Sequence, residues 1–151
     1  MTAFEPQDPG YRARVLASFA RQRAMATLGI SIARLEPGEV ELAMPYREDF
    51  TQQHGFLHAG IVTAGLDSAC GYAAFSLMPP AAAVLTVEFK TNLLAPARGE
   101  RFSFRARVVK PGRTLTVADA QAFAHAGGGE RLVATMSATL MAVHGRAGVA
   151  Q

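Results

Sequence analysis

His54-Gly55-Phe56-Leu57-His58-Ala59-Gly60 runs without a break into Ile61-Val62-Thr63-Ala64-Gly65-Leu66-Asp67-Ser68-Ala69-Cys70-Gly71-Tyr72-Ala73-Ala74-Phe75. A turn rich in His and Gly thus opens onto small and apolar residues carrying one acid. Val62, Leu66, Ala69, Ala73 and Leu77 recur at the three-to-four spacing of one helix face. Gly60, Thr63, Ala64, Asp67, Cys70, Gly71 and Ala74 share the other face. The spacing predicts a helix over 59–77, stopped by Pro79-Pro80. Because nearly every residue in it is small or apolar, this helix can be buried, its apolar stripe on the sheet and its Asp67 face leaving room for a ligand or a second subunit.

Upstream, Asp8-Pro9 reads as an N-cap with proline at N1, opening a helix over about 9–26 that ends at Gly29. Residues 30–35 and 39–44 read as strands hinged at Glu36-Pro37-Gly38. Downstream, 83–94 alternates Leu85, Val87 and Phe89 against Thr86, Glu88, Lys90 and Asn92. In 101–109, Phe102, Phe104, Ala106 and Val108 alternate with Ser103, Arg105 and Arg107. Residues 114–124 and 132–143 complete the set, after a tight turn at Lys110-Pro111-Gly112-Arg113. Two strands, one helix and four more strands predict an α+β fold, an antiparallel β-sheet wrapped around one long central helix, with an N-terminal helix. The expected organisation is a single domain over 1–151 with its core at about 28–143.

Composition narrows the function. Half of the 151 residues are apolar, so the chain is globular rather than disordered. No apolar run approaches the ~20 residues that span a bilayer, and Met1-Thr2-Ala3-Phe4-Glu5-Pro6 lacks the basic and apolar regions of a signal peptide. The net charge of +3 is dispersed, without the aromatic-interleaved patch of a nucleic-acid binder. Cys70 is the single cysteine and has no internal disulfide partner, which points to a reducing, cytoplasmic setting. The tail after His144 is expected to be disordered.

The start of the central helix offers unpaired N–H groups and the positive end of the dipole, a place to hold a developing oxyanion. Asp67, two turns on, is a bare acid among small residues and suits general-base work; its alternative is to cap or pair with a neighbouring segment. His58 stands at the N-cap, with His54 four residues earlier. Their spacing with Asp67 fits no metal-ligand pattern, so no metal is expected. Ser68 lacks a nucleophile elbow, Cys70 reads as core, and His125 and His144 read as surface residues at strand ends. Neither dinucleotide nor phosphate-loop glycine patterns occur, which leaves hydride transfer and nucleotide hydrolysis unsupported.

Several pieces in this order resemble the hotdog-fold acyl-CoA thioesterases of the phenylacetic-acid-degradation (PaaI-like) type, over about 19–143. They are Leu28-Gly29, Pro37-Gly38-Glu39-Val40, Gly55-Phe56-Leu57-His58-Ala59-Gly60, Leu66-Asp67-Ser68-Ala69, Thr86-Val87-Glu88-Phe89-Lys90-Thr91-Asn92, Pro96-Ala97-Arg98-Gly99-Glu100 and Lys110-Pro111-Gly112-Arg113. The resemblance implies dimers, often tetramers, with active sites at the dimer interface. It implies Asp67 as the catalytic acid, base or nucleophile. His58 and Gly60 then belong to the family's His-Gly-Gly turn, and Ala59 supplies the backbone N–H that polarises the thioester carbonyl. Gln52 falls where the family has Asn or Gln to orient water or carbonyl, and Thr86 where some members place Ser or Thr. The chain departs from the motif in having Ala59 at a glycine position; the donor survives if Ala59 is helical.

An acyl-CoA substrate implies no cofactor beyond the coenzyme A it carries. Lys90, Arg98, Lys110 and Arg113 are candidates for its phosphates, and Leu57, Tyr72, Phe75 and Met78 are candidates for an apolar acyl pocket. Two other readings use the same architecture. A hotdog hydratase or dehydratase would pair His58 with Asp67, and a non-catalytic acyl-CoA-binding protein would only hold the ligand.

Overall fold

The computed structural model describes residues 4–151; Met1, Thr2 and Ala3 of the N-terminal segment read above lie outside it. The strands are β1 (Ser31–Glu36), β2 (Glu39–Pro45), β3 (Ala83–Leu93), β4 (Arg101–Lys110), β5 (Leu115–Ala126) and β6 (Gly129–Val143). They form one six-stranded sheet in the order β1-β2-β4-β5-β6-β3, with all neighbours antiparallel. The long helix α3 (Ala59–Phe75) lies against β2 to β6, as expected of a sheet curled around a helix.

Alanines and glycines let the helix sit close. On β5, Ala118, Ala120, Ala122 and Ala124 alternate inward and are buried. On α3, a Cβ at Gly65 would come within 2.5 Å of the Phe104 ring, so only glycine fits there. The helix ends at Phe75, where the Ser76 hydroxyl donates to Ala73 O (2.7 Å) and accepts from the Gly38 amide (2.8 Å), tying it to the β1–β2 turn. Between β5 and β6, Gly127 (φ 58°) and Gly128 (φ 79°) provide the two left-handed residues of a tight hairpin.

Four expectations are corrected. The N-terminal helix is two, α1 (Tyr11–Arg21) and α2 (Arg23–Leu28), broken at Gln22, whose ψ of 90° is extended. Asp8 is not its N-cap: its carboxylate accepts from the Gly10 amide (2.8 Å) and pairs with Arg14 (2.7 Å). On β3, a bulge between Thr86 and Glu88 reverses the alternation. Thr86, opposite buried Leu140, therefore faces α3, while Leu85 turns outward beside Met141. The tail also packs back: the Gln151 side chain accepts from the Val84 amide (3.0 Å) and donates to Ser18 (2.8 Å).

Candidate active site

The open face of α3 is narrower than its helical spacing suggests. Gly60, Thr63, Ala64, Asp67 and Gly71 keep some exposure, whereas Cys70 and Ala74 are in the core. Burial first, then Asp67 and Asp119, pushes the Cys70 thiol up to about 12, so it stays protonated and is no nucleophile.

At the helix start, His58 is the N-cap, and its Nδ1 accepts from the Gly60 amide at 2.9 Å. In a neutral ring that bond places the proton on Nε2. The cap occupies Gly60, and a Cβ there would stand 3.1 Å from His58 Nδ1. The amides of Ile61 and Val62 donate to His58 O. Ala59 N–H alone in this turn has no acceptor among the described residues. Ala59 is helical, and among the described residues only glycines have a positive φ, so its methyl does not disturb the donor.

Ala59 borders an apolar cavity of about 500 Å³ formed with Leu57, Val62, Leu93, Leu94 and Val133. Gln52 reaches the same cavity, its Oε1 accepting from the His54 amide. Arg98, on the loop beside it, stacks on Phe56 with its guanidinium carbon 5.3 Å from the ring centre.

Asp67 lies elsewhere on the helix. Eight residues beyond Ala59, it is about 12 Å along the axis, too far for both to act on one carbonyl group. Its Oδ1 accepts from Thr86 Oγ1 at 2.8 Å, and no cation pairs with it among the described residues. It borders a small polar cavity of about 100 Å³ with Gln22, Ser68, Gly71, Tyr72 and Thr86. The Tyr72 hydroxyl is shared with Ser18 at 3.2 Å, and burial raises its pKa. Of the residues expected in one acyl pocket, Leu57 and Tyr72 therefore border different cavities, and Phe75 and Met78 are core.

The basic candidates are dispersed. Arg98 is at the Leu93 end of β3, Lys90 is on the strand itself, and Lys110 and Arg113 lie at the far end of the sheet, where Lys110 pairs with Val117. One residue was missed. His125 is 9% exposed rather than a surface residue, with Nε2 2.8 Å from Ser103 Oγ on the outer face of the sheet. Period two sets His125 on the side opposite inward Ala124, so the sequence carried no signal of its burial. Among the described residues no three His, Cys, Asp or Glu side chains gather as a metal site, and no helix is long and apolar enough to cross a membrane.

A family model described as "Thioesterase superfamily" matches residues 54–130, from the His54 turn through β5. A Halobacterium salinarum protein named "Putative esterase" is 34% identical over 125 residues, covering 79% of this chain and 80% of that one. A thioesterase family protein from Silicibacter pomeroyi superposes with a TM-score of 0.89 at 69% identity, over 90% of this chain and all of that one. The E. coli PaaI protein, from the phenylacetic acid degradation operon, superposes at TM-score 0.80 over 92% of this chain and 97% of its own; at 18% identity that likeness is one of fold. The sheet-around-helix architecture, the open helix start and these matches together make the chain a member of the Thioesterase superfamily, a hydrolase of the hotdog fold.

Proposed function

We propose that the protein hydrolyses the thioester of a small aryl- or short/medium-chain acyl-CoA to the free acid and coenzyme A, in a cytoplasmic setting and without a further cofactor. The observation that carries this is the unpartnered Ala59 N–H at the start of α3, opening on an apolar cavity. A carbonyl oxygen seated on that amide gains the donor and the helix dipole as it becomes an oxyanion. The acyl group then enters the cavity, whose volume of about 500 Å³ suits an aryl ring or a medium chain.

The acid comes from a second copy of the chain. β3 is an edge strand of eleven residues with Val87, Phe89 and Leu93 exposed and exposed Leu94 just beyond it, an apolar edge that a lone protomer would blunt. Ala59 lies by the Leu93 end of this strand and Asp67 by its Thr86 end. Antiparallel pairing of two β3 edges about a twofold axis lays one end on the other, so each Asp67 meets the partner's cavity. Arg98, beside the cavity, is then the cation available to a phosphate of coenzyme A. This supports a homodimer as the working unit, within a tetramer or alone.

In the reaction Asp67 takes a proton from water as its oxygen attacks the carbonyl carbon, and Thr86 steadies the carboxylate. The tetrahedral intermediate expels the thiolate, which recovers that proton. The test is free-thiol release from acetyl-, hexanoyl-, lauroyl-, benzoyl- and phenylacetyl-CoA by wild type beside Asp67→Asn. Turnover lost in the variant supports the reading and ranks the acyl groups; no release by folded, dimeric wild type overturns it.

A further inference from the structure

The cavity beside Asp67 contains a polar atom with no partner. Gln22 Oε1 is buried and accepts no hydrogen bond, and its side chain donates none among the described residues. A buried acceptor of this kind costs free energy unless something satisfies it. Its position follows from the break between α1 and α2, because extended backbone at Gln22 interrupts the helix that its sequence favours. The side chain does not cap α2 either. Most neighbouring polar groups are already engaged: Thr86 donates to Asp67, Tyr72 and Ser18 share a bond, and both ends of the Gln151 amide are used, while the Ser68 hydroxyl also borders the cavity. At about 100 Å³ the cavity has room for a few waters at roughly 30 Å³ each.

We propose that Gln22 positions the hydrolytic water, an inference that rests on the thioesterase reading above. A water poised for attack has two hydrogens and must aim a lone pair at the carbonyl carbon. Asp67 accepts the hydrogen that is transferred, and Gln22 Oε1 accepts the one that stays. As the new C–O bond forms, the O–H bond facing Asp67 breaks and the carbonyl π pair moves to oxygen. On collapse the C–S bond breaks, and the proton on Asp67 passes to the sulfur. With two acceptors fixing the water, Asp67 acts as a base rather than as the nucleophile.

The experiment compares steady-state kinetics, pH profiles and thermal melts of wild type, Gln22→Met and Gln22→Glu on the acyl-CoA that wild type hydrolyses fastest. Gln22→Met keeps the length of the side chain and removes the acceptor. Its kcat is expected to fall about tenfold through lost orientation, with KM unchanged. Its melting temperature stays level or rises, because an unsatisfied buried oxygen is gone. A residue with only a structural role does not give that combination. Gln22→Glu keeps an acceptor but sets a like charge near Asp67, so the acidic limb of its kcat profile moves to higher pH and activity returns above it. Wild-type kcat in Gln22→Met overturns the proposal while leaving the thioesterase reading intact, as does a rise in KM alone. Absence of thiol release by wild type overturns both.

Discussion

On the outer face of the sheet, Ser103, His125 and Glu130 stand in the order of a nucleophile, a base and an acid, with Ser103 Oγ 2.8 Å from His125 Nε2 and His125 Nδ1 3.8 Å from Glu130. On the inner face, Asp67 has one hydroxyl for a partner. The first cluster is bonded within the chain, although His125 also borders a cavity of about 120 Å³. Ser103 is 1% exposed, and Arg105 holds Glu130 with two bonds of 2.8 and 2.7 Å while also reaching Glu41 at 3.3 Å. The guanidinium keeps the Glu130 carboxyl below its usual range. The second cluster is open: among the described residues its carboxylate has no cation, and it borders a cavity with an unpartnered oxygen across it. A polar group whose bonds are all made within the chain contributes to the fold. One that is left short of partners at a cavity is available to a ligand.

The sharpest way to break this comparison is at Asp67. Asp67→Asn keeps an oxygen that accepts from Thr86, so the fold and melting temperature should hold. Removal of the base is expected to lower kcat by about 10²–10⁴, read as free-thiol release. Full activity in this variant would place the chemistry elsewhere.

Next in size is the donor. Ala59 is the first residue of α3, where proline fits the backbone and costs no helical bond. Ala59→Pro therefore deletes one N–H and little else, with an expected loss of about 10²–10³ in kcat. Refolding it together with Asp67→Asn tests the shared site. In a mixed dimer one site carries both defects and the other neither, so about a quarter of wild-type activity should return. No recovery, with mixed dimers shown to form, would mean that acid and donor act within one chain.

On the outer face the expected effect moves from activity to stability. Ser103→Ala leaves the buried His125 ring without its partner, which should cost about 1–3 kcal/mol in denaturant unfolding. Turnover of the folded fraction should match wild type. A large loss of turnover at unchanged stability would make the outer cluster a second catalytic centre.

Much of this was legible in the residues. Alternation of Phe102, Phe104, Ala106 and Val108 located the inner face of β4, and small residues marked α3 as a helix that could be enclosed. The turn before α3, with its capping His58, also read correctly as a helix start. What escaped depended on tertiary contacts. The β3 bulge is one inserted residue in an otherwise regular pattern, yet it decides that Thr86 faces Asp67. The break at Gln22 sits in a sequence of good helix formers, with neither Gly nor Pro to announce it. His125 looked like a strand-end surface residue because its partner Ser103 lies across the β4–β5 pairing, 22 positions away in the chain.

The smallest effect concerns His125 and separates the two faces by pH. Burial, followed by the charge of Arg101, holds its imidazole below the ordinary value of 6.5, against an opposing pull from Glu130. The folded value lies below the unfolded one, so the unfolded chain takes up its proton first as pH falls. The stability that neutral His125 contributes is therefore complete above about pH 6.5 and is lost as pH drops through the unfolded and then the folded value. Thermal melts from pH 8 to 5 should show a level region and then a decline. His125→Gln, which can still bond Ser103, should flatten the upper part of that decline. Its kcat profile should overlay that of wild type, because the sheet separates His125 from Asp67. A shift of the kcat limb in His125→Gln would show that the two faces are coupled.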